Sequence, residues 1–133
     1  MRKTARAILI SKTGWLILIK RVKNGNTYYV TPGGGVETGE TPAQAVIREI
    51  SKETGCCVTD PVFAFHFQDE IPPTDADFFV CHEVSRHTPT GEEWQRDSSQ
   101  NQYEIVEVSQ SQFNQLIFYP SALKQIVQTY VFV

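Results

Sequence analysis

Residues 33–56 read GGGVETGETPAQAVIREISKETGC, and their spacing decides how the rest of the chain is read. Three glycines are followed by Glu37 and Glu40, and then by a helix start at 41–44. Thr41 can cap the helix, Pro42 suits its first turn, and Gln44 completes a capping-box spacing. The pattern predicts a helix to about Thr54, with Gly55 just past its C-terminal end. At roughly 100° per residue, Ala43, Val46, Ile47, Ile50 and Thr54 share one arc that faces a core. Glu49 and Glu53 stand four apart and stack at the edge of that arc, while Arg48 and Lys52 form a second line.

Glycines at 33–35 are expected to form a turn in which the backbone approaches a ligand closely. A P-loop is excluded, because no Gly-Lys-Ser/Thr follows at the required spacing. Glu37, Glu40, Glu49 and Glu53 bring four carboxylates into one turn-plus-helix unit. Such a cluster calls for a counter-charge, and a hard divalent cation held through oxygen supplies it. Magnesium keeps several waters and works with substrate phosphates, so the cluster points towards phosphate chemistry.

The order of the remaining segments frames this unit. Residues 4–10 and 15–22 read as two antiparallel strands joined by a hairpin, with a second turn at Asn24-Gly25 and a short strand at 28–30. Residues 57–68 and 76–85 are expected to be longer strands separated by a loop over 69–75. The polar stretch 86–102 reads as a long loop, which in a compact domain is usually functional or mobile. A strand at 103–108, a short helix from Ser109 to about Leu116 and a last helix from about Pro120 to Tyr130 complete the order.

Composition sets the limits. A chain of 133 residues with 41% hydrophobic and 20% charged content suits one domain with its own core, 1–133. A net charge of −3 argues against a nucleic-acid polymer as partner. Cys56, Cys57 and Cys81 show no zinc or disulfide spacing, so free thiols and a cytoplasmic setting are expected. The longest apolar runs fall far short of a membrane span, and no signal-peptide core follows Met1.

From Gly34 the chain reads G-x5-E-x7-R-E-I-x-K-E-x-G, which resembles the Nudix box, G-x5-E-x7-R-E-U-x-E-E-x-G-U with U apolar. The lead-in YYVTPGG at 28–34 and the closing YEIVEV and FYPSALKQIV segments also look like a MutT-like Nudix domain. The resemblance implies an α/β/α sandwich with a mixed central sheet. It also implies hydrolysis of a nucleoside diphosphate linked to another moiety, with Mg²⁺ or Mn²⁺, on a small-molecule nucleotide or other diphosphate. A homodimer is common among such proteins.

Carried over by position, Glu49 and Glu53 would be metal ligands, with Glu49 also helping to activate water and a backbone carbonyl at Gly33–Gly34 adding a ligand. Arg48 would orient the glutamates, Glu40 would hold Arg48 or a metal-bound water, and Glu37 would organise the loop. A further carboxylate is expected from 92–97, with Glu93 favoured over Glu92 and Asp97. Trp94 is the aromatic outlier of that loop, and His66, His82 and His87 lack metal spacing.

One position departs from the box: Lys52 stands where the family has the first glutamate of its E-E pair. The lysine removes a ligand and adds a positive charge. It either works in an active site, through Glu49 or a substrate phosphate, or leaves a domain that binds a nucleotide as sensor or scaffold without cleaving it.

Overall fold

In the computed structural model, which describes residues 2–88 and 101–132, the strand at Thr4–Ile10 (β1) organises a mixed sheet. One edge of β1 runs parallel to Pro73–His82 (β7) over its whole length. Its other edge is shared. Thr4, Ala5 and Arg6 pair antiparallel with Gly33–Gly35 (β4), while Leu9 and Ile10 pair with Leu16–Lys23 (β2). Strand β2 also carries Asn26–Val30 (β3) and Asn101–Val108 (β9), both antiparallel, and Val62–Glu70 (β6) closes the far edge against β7. A small separate ladder joins Cys56–Cys57 (β5) to Ser85–Arg86 (β8).

Helix Pro42–Thr54 (α1) covers one face of the sheet. Thr41 and Gln44 form the capping box, and Gly55 ends the helix in the left-handed conformation, with φ at 75°, that glycine adopts without strain. Under the helix lie Ala5, Ala7 and Leu9 of β1, with Val46 and Ile50 packed on them. The two alanines leave room for the helix to come close. Val46 and Ile50 are wholly buried, and each such side chain contributes about 1.5–3 kcal/mol of hydrophobic stabilisation.

The opposite face is built from Ile8, Leu16, Leu18 and Phe78, covered by Gln110–Gln115 (α2), a 3-10 turn at Ser121–Leu123 and Lys124–Val131 (α3), through Phe113, Leu123 and Val127. Alternation along β1, with Ala7 on one side and Ile8 on the other, feeds both layers. The result is the α/β/α sandwich with a mixed sheet. Among the described residues no helix is long and apolar enough to cross a membrane.

Three expectations need correction. The strand expected over 57–68 is interrupted, with Cys57 ending β5 and β6 running from Val62 to Glu70. The glycines at 33–35 form a strand and not a turn, because β1 offers them an open backbone edge at Thr4–Arg6. The supposed loop at 69–75 is mostly ladder: Gln68, Asp69 and Glu70 pair with Asp75, Thr74 and Pro73, and only Ile71 and Pro72 turn. The two prolines sit at the tip and strand end, where a missing N–H costs no ladder bond. Glu92, Glu93, Trp94 and Asp97 lie outside the described residues.

Candidate active site

Pairing β4 with β1 and hanging α1 directly after it brings the glycines against the carboxylates of the helix. Glu49 and Glu53 are each only 8% exposed. Buried carboxylates need partners. Glu53 Oε1 accepts the Gly33 backbone N–H at 2.8 Å. Glu49 Oε1 accepts from Arg48 Nη1 at 2.6 Å. Glu49 Oε2 has no hydrogen-bond donor among the described residues, although it lies beside Gly34 in a buried position.

Arg48 is the hub of the arrangement. It grips Glu40 with two parallel bonds, Nε to Oε2 at 2.7 Å and Nη2 to Oε1 at 2.9 Å. Its Nη2 also donates to the Gly35 carbonyl at 2.9 Å, and Glu37 approaches Nη1 at 3.7 Å. Glu40 in turn accepts the Glu37 N–H at 3.0 Å, so the turn before the helix is closed on the same guanidinium. The Arg48 bonds, with that N–H second, hold the Glu40 carboxyl down to about 2. Arg48 is raised above its ordinary value, first by Glu40.

Glu49 and Glu53 open onto a cleft of about 370 Å³. Gly34 lines it with them, and among the described residues four cations, Arg2, Arg6, Arg21 and Lys52, share the lining. Arg6 sits opposite Gly33 in the ladder and donates to the Thr31 carbonyl. Burial lowers its pKa, while Glu53 and Glu49 pull the other way. Arg21 donates to Tyr103 Oη at 2.7 Å and lies 4.6 Å over that ring. Lys52 makes no hydrogen bond or ion pair among the described residues, so of the two contacts open to it in an active site the pairing with Glu49 is absent there.

Arg2, Arg6 and Arg21 were not singled out by spacing. For Arg6 and Arg21 the readable signal is a charge inside the apolar strands TARAILI and LILIKRVK; Arg2, just before the first, gives no such signal. His66 also gains neighbours that needed the register: its Nδ1 bonds Asp77 at 2.7 Å, and its Nε2 lies 3.0 Å from Asp75, across the β6–β7 pair.

The donor set fits a divalent cation that keeps water. Such an ion is held by one or two carboxylates plus substrate phosphates. Glu49 Oε2 is a buried oxygen with no donor among the described residues, and a Cβ at Gly34 would stand 2.8 Å from it. Among the described residues, no group of three His, Cys, Asp or Glu side chains comes together to hold a metal ion.

Comparisons with known proteins agree with this geometry. The model of the NUDIX domain matches residues 1–128. An ADP-ribose pyrophosphatase of Methanocaldococcus jannaschii is 48% identical over 48 residues, which is 35% of this chain and 28% of the relative. An 8-oxo-dGTP diphosphatase of Haemophilus influenzae is 32% identical over 80 residues, 58% of each chain. The matches thus span less than two thirds of these relatives. A MutT structure from work on Aliivibrio salmonicida and Vibrio cholerae superposes with a TM-score of 0.69 at 20% identity, covering 98% of this chain and 96% of that one. A NUDIX hydrolase of Nitrosomonas europaea gives 0.68 at 18% identity, with 97% and 87% covered. These structural likenesses speak for the fold. With the family model matched over nearly the whole chain, and its box folded into a carboxylate-lined cleft, this protein belongs to the Nudix domain family.

Proposed function

We propose that this chain is a pyrophosphohydrolase that cleaves a nucleoside diphosphate linked to another moiety. The observation that carries the reading is Glu49: a buried carboxylate with one oxygen clamped by Arg48 and the other open beside Gly34, at the wall of a cation-lined cleft. ADP-ribose and 8-oxo-dGTP, the compounds named for the two relatives above, share a diphosphate unit, and that unit is the substrate feature taken over here.

Glu49 and Glu53 would hold the divalent cation, with Mg²⁺ or Mn²⁺ as the natural choice for oxygen ligands. Bound there, such an ion neutralises diphosphate charge and lowers the pKa of a nearby water. The remaining work belongs to the chain. Arg48 fixes the rotamer of Glu49 through Oε1, and Gly33 fixes Glu53. Glu49, anchored by Arg48, would orient the attacking water, whose oxygen bonds to phosphorus as its proton passes to solvent. The bridging phosphorus–oxygen bond breaks, and the leaving phosphate departs with that oxygen and the electron pair. Arg6 and Arg21 offset charge on the phosphate oxygens.

The test is a panel of nucleoside triphosphates, dinucleotides, nucleotide sugars and ADP-ribose, each with Mg²⁺, with Mn²⁺ and with chelator. Cleavage of at least one compound, lost in Glu49→Gln and Glu53→Gln, is the expected result. A panel left intact under all conditions overturns the reading. The non-catalytic sensor reading gains no support from the hydrolase names of the relatives, and both helix carboxylates are in place.

A further inference from the structure

The cleft has an unusual charge balance for a site expected to take a cation. Among the described residues, four cationic side chains share its lining with two carboxylates, so this part of the wall is net positive before any ion enters. Position 52 decides that sign. A glutamate there would leave three cations facing three carboxylates, whereas Lys52 tips the balance by two charge units.

The neighbouring glutamates do not absorb the lysine. Glu49 Oε1 is taken by Arg48 and Glu53 Oε1 by the Gly33 N–H. Lys52 itself has no ion pair or hydrogen bond among the described residues, yet its side chain lines the cleft that holds both glutamates. An ammonium is a flexible point charge with three donors, well suited to phosphate oxygens. It sits on α1, one residue from Glu53 and three from Glu49, so it reaches the same part of the cleft as the two carboxylates.

We propose that Lys52 is a diphosphate-binding residue: its ammonium, with Arg6 and Arg21, holds phosphate oxygens directly, so that the cleft captures a diphosphate without a metal bound first. This rests on the reading of the cleft as the diphosphate site. It turns the departure from the family pattern into a working part of the site. Lys52 supplies, from the chain, positive charge that a carboxylate at position 52 would have to recruit from solution.

Calorimetric titration of inorganic pyrophosphate in the presence of chelator tests the proposal without relying on turnover. The wild-type protein should bind, with an affinity that falls steeply as salt is raised. Lys52→Met and Lys52→Gln should bind about tenfold more weakly or worse, the loss of one charge-assisted hydrogen bond, while Lys52→Arg should stay within roughly threefold. Thermal melts on the same samples confirm that the variants are folded. The proposal is overturned if folded Lys52→Met and Lys52→Gln bind pyrophosphate as tightly as the wild type, or if the wild type binds none without metal. The two readings fail separately. Metal-free binding that depends on Lys52 in a protein that cleaves nothing removes the hydrolase and keeps this assignment. Cleavage together with Lys52-independent binding does the reverse.

Discussion

A Cβ atom at Gly34 would stand 2.6 Å from the carboxyl carbon of Glu49 and 2.8 Å from its Oε2. Glycine at this position is therefore a condition for where the Glu49 carboxylate lies. Gly34→Ala should push that carboxylate out of place while leaving the β1–β4 ladder formed. A displacement of about 1 Å can cost roughly 100-fold in rate, so kcat/KM should fall by about that factor. Steady-state kinetics and a thermal melt on one preparation check it; an active, well-folded Gly34→Ala would sink the argument.

Arg48 reaches Glu40, Glu49 and the Gly35 carbonyl at once through its planar fork. A lysine keeps the charge and cannot span these partners. Arg48→Lys should lower activity by about 10–100-fold, the usual effect of removing a group that orients metal-binding side chains. Stability should fall by about 1–3 kcal/mol, because a buried acceptor loses its donor. Urea midpoints and kcat/KM give the two numbers.

The Glu40 carboxyl, held down to about 2 against an ordinary value of 4.5, predicts an acid dependence. The pKa is depressed in the folded state, so the Arg48–Glu40 bond stabilises the protein fully above pH 4.5 and its contribution fades as pH falls towards 2. Thermal melts between those limits should show the wild type losing stability steadily. Glu40→Gln should be less stable near neutrality and lack this component of the acid slope. Parallel slopes in the two proteins would contradict it.

Ile50 is wholly buried between α1 and the sheet. Ile50→Ala should destabilise the fold by about 2–5 kcal/mol, the range for cavity-forming changes in a core. Chemical denaturation measures it. Although Ile50 lies next to Glu49 in sequence, its side chain packs into the core with Leu9 and Val46, so kcat/KM of the folded protein should fall less than in Gly34→Ala.

The three free cysteines should react unequally. Burial raises the thiol pKa of Cys56 and pushes that of Cys81 up to about 12, whereas Cys57 is half-buried. A thiol reagent at neutral pH should modify Cys57 first, with the other two released by denaturant. Rapid reaction of all three in the native protein would contradict the burial described.

What could be read before folding was the local chemistry. Thr41, Pro42, Gln44 and Gly55 state where α1 begins and ends, because capping uses residues within a few positions of one another. The box spacing likewise placed Glu49 and Glu53 on one helical line, and Asn24-Gly25 marked the β2–β3 turn.

Tertiary structure decided everything that depends on strand partners. Whether residues 33–35 turn or pair was settled by the free edge of β1, more than twenty residues earlier in the chain. Arg2, Arg6 and Arg21 reach the cleft from other parts of the chain, and no spacing rule links them to Glu49. The direction of Lys52 was equally out of reach: an i, i+3 partner was available in Glu49, but among the described residues the lysine forms no such pair and lines the cleft instead. Helical periodicity named the carboxylates; only the packing of β4 and α1 on β1 gave them a positively charged cleft to work in.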